Sequence, residues 1–263
     1  MIVDADCHIS PTPEGRNSIG YDELLRRMDR AGVDKAVAWL QPPYLRDVAA
    51  GNAYVREAMR AHPDRILGFG WADPNLGVEA ARDEARRCIE EYGLYGVKLN
   101  GAQNSFYIDS QELSLPVIET IAATGKLLAF HIGGDACEHT HPFRLGKIAR
   151  RFPEVQTLAV HMGGVSVPDL CDAMIEIAAE CPNIHLIGSN VRAPAILRAV
   201  KTLGAGRVSF GSDTPFAFMH VERAKYDALL DGEVTDEDKR LIMGGNIARL
   251  FGIADALNDG ETR

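Results

Sequence analysis

Short apolar runs rich in Val, Ile and Leu recur along the chain, and each is followed by a longer amphipathic segment. Runs of four to eight residues predict strands, and segments with a 3.6-residue period predict helices. Strands are expected over 2–7, 35–40, 66–71, 96–99, 127–131, 157–161, 184–187 and 208–210. Helices are expected to begin near Tyr21, Asp47, Leu76, Gln111, Pro142, Val167, Ala193 and His220. In the first of these, Leu24, Leu25 and Met28 fall on one face, opposite Arg26, Arg27 and Asp29. Pro168 and Pro194 suit a first helical turn, where the missing N–H costs nothing. Thr235 can cap a last helix whose first turn carries Asp236, Glu237 and Asp238.

Eight strand-then-helix units of about 33 residues predict an α/β fold of the (β/α)8 barrel type. A doubly wound open sheet would usually place a Gly-rich phosphate turn after its first strand, and none is present. The chain reads as a single domain over 1–263, with an extra C-terminal helix over 236–251 and a polar tail over 258–263. No repeat, low-complexity stretch or linker divides it.

The 263 residues carry 28 basic and 37 acidic side chains, for a net charge of −9. Such a surface repels phosphate backbones, so nucleic acid is not an expected partner and a small molecule is. The five cysteines, Cys7, Cys88, Cys137, Cys171 and Cys181, are odd in number, widely spaced and free of C-x-x-C. They point to a reducing cytoplasm and away from a disulfide framework. The start, MIVDADCHIS, carries no signal-peptide pattern, and no apolar run approaches membrane-spanning length. A homo-oligomer is compatible with all of this.

In a barrel of this kind the chemistry gathers at the C-terminal ends of the strands. The first strand ends Asp4-Ala5-Asp6-Cys7-His8, and alternation puts Asp4, Asp6 and His8 on one face, with Cys7 on the other. The fifth ends in His131 and the sixth in His161. Each is followed by one apolar residue and a glycine pair. Two histidines in equivalent places suggest side chains aimed at a shared cavity, and the glycines let the backbone turn sharply there. The eighth strand leads into Ser212 and Asp213. Asp6, His8, His131, His161 and Asp213 therefore form a convergent set of imidazoles and carboxylates, the donor types of a borderline divalent metal.

With those residues in view, the sequence resembles the amidohydrolase superfamily, and within it the branch of aminocarboxymuconate-semialdehyde decarboxylase-like proteins. The resemblance spans nearly the whole chain through IVDADCHIS, GVDKAVAWL, YGVKLN, LLAFHIGG, RFPEVQTLAVHMGG, VSFGSDTPF and GNIARLFGI. It implies a distorted TIM barrel holding one divalent metal, with zinc as the first expectation. His8 and His131 would be ligands, Asp213 a ligand or close neighbour that also handles a proton, and His161 a group beside the metal. Members commonly carry His-x-His on the first strand. This chain has Asp6-Cys7-His8, which makes Asp6 a harder ligand and leaves room for manganese.

The expected reaction is hydrolysis of a lactone, ester or amide-like bond, the metal activating water near neutral pH. In that scheme Asp213 moves the proton and His161 stabilises charge on a carbonyl oxygen. The alternative is decarboxylation of an unsaturated or aromatic acid. Compact loops favour hydrolysis in this reading. A metal-dependent deoxyribonuclease is disfavoured by the acidic charge and by Lys98 and Asn100 where that branch carries Glu. A non-catalytic binding protein is the fourth reading. Lys98, Arg46 and Arg192 are candidate contacts to a substrate carboxylate. In some relatives a strand-four lysine is carboxylated and bridges two metals, but for Lys98 a plain contact is the preferred expectation. Tyr44, Trp71, Phe106, Tyr107, Phe216 and Phe218 lie in or near loops that can wall a pocket. The Cys137, His139 and His141 stretch reads as a loop near the mouth.

Overall fold

The computed structural model describes residues 1–12, 17–42, 47–134 and 136–253. Arg46, Tyr44 and the polar tail lie outside the described residues. The strands are β1 (Val3–Ile9), β2 (Lys35–Leu40), β3 (Ile66–Gly68), β4 (Gly70–Ala72), β5 (Gly96–Leu99), β6 (Leu127–His131), β7 (Thr157–Val160), β8 (Ile184–Ile187) and β9 (Val208–Ser209). All pairings between them are parallel. The helices are α1 (Tyr21–Ala31), α2 (Val48–Ala61), α3 (Val78–Arg86), the single turn α4 (Gly101–Asn104), α5 (Ser114–Ala122), α6 (Pro142–Arg151), α7 (Leu170–Glu180), α8 (Ala193–Leu203), α9 (Met219–Leu230), α10 (Asp236–Arg240) and α11 (Asn246–Phe251). Strand and helix alternate as the periodicity predicts.

The third strand departs from expectation by breaking at Phe69 into β3 and β4. Phe69 still donates its N–H to Ala38 O (2.9 Å), so the wall stays continuous. The first strand is joined to the chain leaving β9. Ala5 N–H reaches Phe210 O (3.1 Å), His8 N–H reaches Thr214 O (2.7 Å), and Cys7 bridges Thr214. The eight strand positions thus form a barrel. The wall is mostly apolar on both faces, with Val3, Ile66, Leu128, Leu158, Leu186 and Val208 all buried. Parallel strands covered on both faces call for such near-continuous apolar runs.

Two local signals act as expected. Pro194 lies in the first turn of α8, and Thr235 Oγ1 accepts Asp238 N–H (3.1 Å) to cap α10. Pro168 instead precedes α7, which begins two residues later. The C-terminal helix is not continuous: a widened turn over Leu241–Gly245 separates α10 from α11. There Ile242 O is free to accept Phe210 N–H (2.9 Å). A side chain at Gly244 would meet Met1 O at 2.6 Å and Val3 N at 3.0 Å. The break lets this segment seat directly beneath β1 and β9.

Candidate metal centre and active site

Side chains from β1 and β6, and from the segments after β7, β8 and β9, converge at the C-terminal rim. One ligand atom each from Asp6, His161 and Asp213 lies within 4.8 Å of the others. His8 Nε2 is 3.5 Å from Asp6 Oδ1 and 3.6 Å from Asp213 Oδ1. The rings of His131 and His161 meet edge-on with centroids 4.6 Å apart. All five residues expected to converge do so, and all are buried. The trio within 4.8 Å contains His161, which the resemblance places beside the metal rather than on it.

The HxGG pattern explains how two strand ends approach so closely. Gly133 has φ +81°, and a Cβ there would fall 2.1 Å from Gly163 O in the equivalent loop. Gly134 has φ +90°, and a Cβ there would fall 2.3 Å from His131 Nε2. Both positions need a residue without a side chain. Backbone strain concentrates at the same rim. His161, Met162, Asn190 and Asp213 are four of the five non-glycine residues with positive φ among the described residues. Such conformations cost of order 1–3 kcal/mol each and cluster at functional sites.

Asp4 does not join the set. The register of β1 against β2 shifts between Asp4 and Cys7, so simple alternation fails there. Asp4 Oδ1 accepts N–H from Ser212 (2.8 Å) and Asp6 (3.1 Å). Burial pushes its carboxyl up to about 7. Cys7 is fully buried, and burial raises its thiol well above the usual value, which makes it an inert core group.

His8 Nδ1 faces Leu40 O (2.9 Å), so the proton sits on Nδ1, and Nε2 accepts the Trp39 indole N–H (3.2 Å). Burial and Lys98 oppose protonation of His8, yet the carboxylates of Asp213 and Asp6 outweigh them and raise its pKa. A proton on Nε2 would oppose the Trp39 N–H, so the geometry favours the neutral tautomer. A cation held among the carboxylates removes the need for that proton, and as a ligand His8 would offer the ion the Nε2 lone pair that here accepts the Trp39 N–H. Asp6 Oδ1 has no hydrogen-bond donor among the described residues. Burial opposes its ionisation, but the Lys98 ammonium and His8 hold the Asp6 carboxyl well below the usual range. Burial first, then His161 and Lys98, keep His131 neutral. A buried ionised Asp6 with one oxygen unpaired among the described residues, near a neutral His131, fits a divalent ion.

The site opens into a cavity of about 200 Å³ lined by His8, His131, His161 and Asp213, with Asn100, Gln103, Asn190 and Phe216. Sequence reasoning missed Ser189 and Asn190. Ser189 Oγ donates to Asp6 Oδ2 (2.5 Å) and lies 3.0 Å from His161 Nδ1, whose ring also faces Ser189 O (3.0 Å). Asn190 Nδ2 donates to Asp213 Oδ2 (3.2 Å). Their position, directly after a strand, was the available signal. Lys98 departs from expectation: it is fully buried and does not line the cavity. Arg192 is exposed ahead of α8 and is also absent from the lining. Phe216 stands over His8 with ring centroids 5.4 Å apart, whereas Trp71 and Phe106 are packed in the core. His141 Nδ1 accepts Phe143 N–H (3.3 Å) at the start of α6, and His139 packs on Tyr107.

The amidohydrolase family profile matches residues 3–253. The chain belongs to the amidohydrolase family. It is similar to a gamma-resorcylate decarboxylase of Polaromonas sp., 23% identical, over 88% of this chain and 86% of that one. It is also similar to a 2-amino-3-carboxymuconate-6-semialdehyde decarboxylase of Dictyostelium discoideum, 23% identical, over 82% and 69%. The fold matches a Polaromonas dihydroxybenzoic acid decarboxylase structure with bound manganese and the inhibitor 2-nitroresorcinol. That match has a TM-score of 0.74 at 20% identity and covers 98% of both chains. The resemblance to the decarboxylase-like branch of the superfamily is therefore correct. The expectation of hydrolysis is overturned, because these relatives are decarboxylases. Loop compactness was a poor discriminator: the same metal donors serve both reactions, and the loops decide only what enters. The comparisons support a divalent metal, and the expected zinc finds no support in them.

Proposed function

We propose that this protein is a metal-dependent decarboxylase of a small aromatic or unsaturated carboxylic acid. The observation that carries this reading is the convergence of Asp6, His161 and Asp213 within 4.8 Å at the barrel rim, in a chain whose relatives are decarboxylases. Asp6, His8, His131 and Asp213 would hold the ion, with His161 beside it. Manganese is the preferred ion, since two carboxylate donors suit an oxygen-tolerant metal. When bound, the ion supplies a positive anchor for substrate oxygens and draws charge from the acid.

The protein's own groups supply the rest. Decarboxylation breaks the bond between the carboxyl group and its carbon, leaves the electron pair on that carbon, and requires a proton there. Asp213 borders the cavity and is oriented by the Asn190 amide, so it is the group placed to deliver that proton. His161, fixed through Nδ1 by Ser189, presents its other nitrogen to the cavity, where it can accept a hydrogen bond from a substrate hydroxyl. The Asn100 and Gln103 amides can bond ring hydroxyls. A cavity of about 200 Å³ fits one ring. Arg46 remains a candidate carboxylate clamp, outside the described residues.

The test is carbon dioxide release by manganese-loaded enzyme from a panel of hydroxybenzoates and carboxylated dienes, run in D2O. Release with one deuterium at the vacated carbon is expected. Turnover of lactones or esters, with no release from any acid, would refute the reading.

A further inference from the structure

One buried charge stands beside the metal-site carboxylates without a part in the reaction above. Lys98 on β5 is 0% exposed, and its Nζ has no hydrogen-bond partner among the described residues. Its paired anion among the described residues is Asp6, with Oδ1 at 3.7 Å, too far for a hydrogen bond, and that oxygen is itself without a donor among them. The ammonium lies 3.7 Å from the centre of the Trp39 ring and 5.5 Å from that of Trp71. Both rings are fixed, Trp39 by its N–H to His8 Nε2 and Trp71 by its N–H to Asn104 Oδ1. Lys98 reaches Asp6 from inside the barrel and not from the cavity wall.

An ammonium with no hydrogen bond is held by charge alone, through a carboxylate and the faces of two indoles. Nothing about packing requires it, since an apolar chain of the same length would fill the space. What the site does require, before a metal arrives, is compensation for two carboxylates taken out of water. We propose that Lys98 is a built-in counter-cation that shares Asp6 with the metal, holding the empty site together and weakening the grip on the ion. The inference rests on reading Asp6 as a metal ligand. An incoming dication meets carboxylates already offset by one positive charge, and it is repelled by that charge through a medium that screens poorly. The bound ion is then less neutralised by its protein donors and keeps more pull for an anionic substrate. Lys98 is thus a positioning residue for the metal and not a group that touches substrate.

The test measures Mn2+ dissociation constants by chelator competition, and melting in EDTA and in Mn2+, for wild type, Lys98→Met, Lys98→Gln and Lys98→Arg. Both neutral variants are expected to bind Mn2+ at least about tenfold more tightly, equivalent to about 1.4 kcal/mol. They should melt below wild type in EDTA and recover with Mn2+, while Lys98→Arg binds as wild type does. A residue with a merely structural role would weaken binding or leave it unchanged, and either result overturns the proposal. Failure of both neutral variants to fold with saturating Mn2+ also overturns it, because the ion should replace the lost charge. Absence of Mn2+ binding by wild type itself would instead overturn the metal-site reading.

Discussion

Gly134→Ala tests whether His131 is a metal donor without touching the histidine. The new Cβ would sit 2.3 Å from His131 Nε2, whereas ordinary contact begins near 3.4 Å, so ring and loop must part by about 1 Å (3.4 − 2.3). Metal–ligand distances tolerate only about 0.2 Å. Misplacing the support of one ligand typically costs about 10–100-fold in metal affinity. The φ of +90° adds strain of about 1–3 kcal/mol for a residue with a side chain. At roughly 2–4 °C per kcal/mol for a chain of this size, melting should fall by several degrees. Gly204→Ala is the control, because Gly204 has φ +84° and nothing within 4 Å of the added carbon. It should lose similar stability and no metal affinity. The assay is Mn2+ titration followed by the paramagnetic resonance of free ion, with melting curves alongside. Wild-type Mn2+ affinity in Gly134→Ala would remove His131 Nε2 from the donor set.

Three further outcomes are expected. His131→Ala should lose the metal, while Asp213→Asn should keep much of it and lose turnover; full activity in Asp213→Asn would remove its proton-transfer role. Acid sensitivity should trace in part to His185, which is buried against Ser209 Oγ (2.8 Å) and held by burial at about 3. Unfolded histidine takes a proton below about 6.5, which the folded protein refuses until about 3. The unfolded state therefore binds more protons across that window, and stability falls as pH drops through it. At pH 5 the loss is about 2 kcal/mol. Urea unfolding at pH 7 and pH 5 should show a shallower pH slope in His185→Gln, and an unchanged slope would exclude this origin.

The strand positions and the rim histidines were legible because each has a local signature. Apolar runs mark the walls of a parallel barrel, and the two HxGG endings mark loops that must pass within contact of one another. The face that alternation assigns to Asp4 is unsafe because a bulge in β1 breaks the period of two, and nothing in the residue types announces it. Ser189 and Asn190 carry no motif; their roles exist only because β8 delivers them beside Asp6 and Asp213. Lys98 was visible as a strand-end lysine, but whether such a side chain enters the cavity or hides behind Asp6 depends on Trp39 and Trp71, which come from two other strands. The reaction was least legible. Donors that activate water and donors that anchor a carboxylate are the same atoms, so the distinction lies in the occupant of the cavity.

The bond from Ser212 N–H to Asp4 joins positions 208 residues apart, and Asp6 and Asp213 face each other across the same seam. The seam is braced from below by the segment at Gly244, almost at the end of the described chain. During synthesis, therefore, no cation can be gripped between Asp6 and Asp213 until the segment that carries Asp213 and Gly244 has left the ribosome. Proteolytic fragments lacking either β1 or the Asp213 segment should be blind to manganese, and ion uptake can serve as a report that the seam has closed.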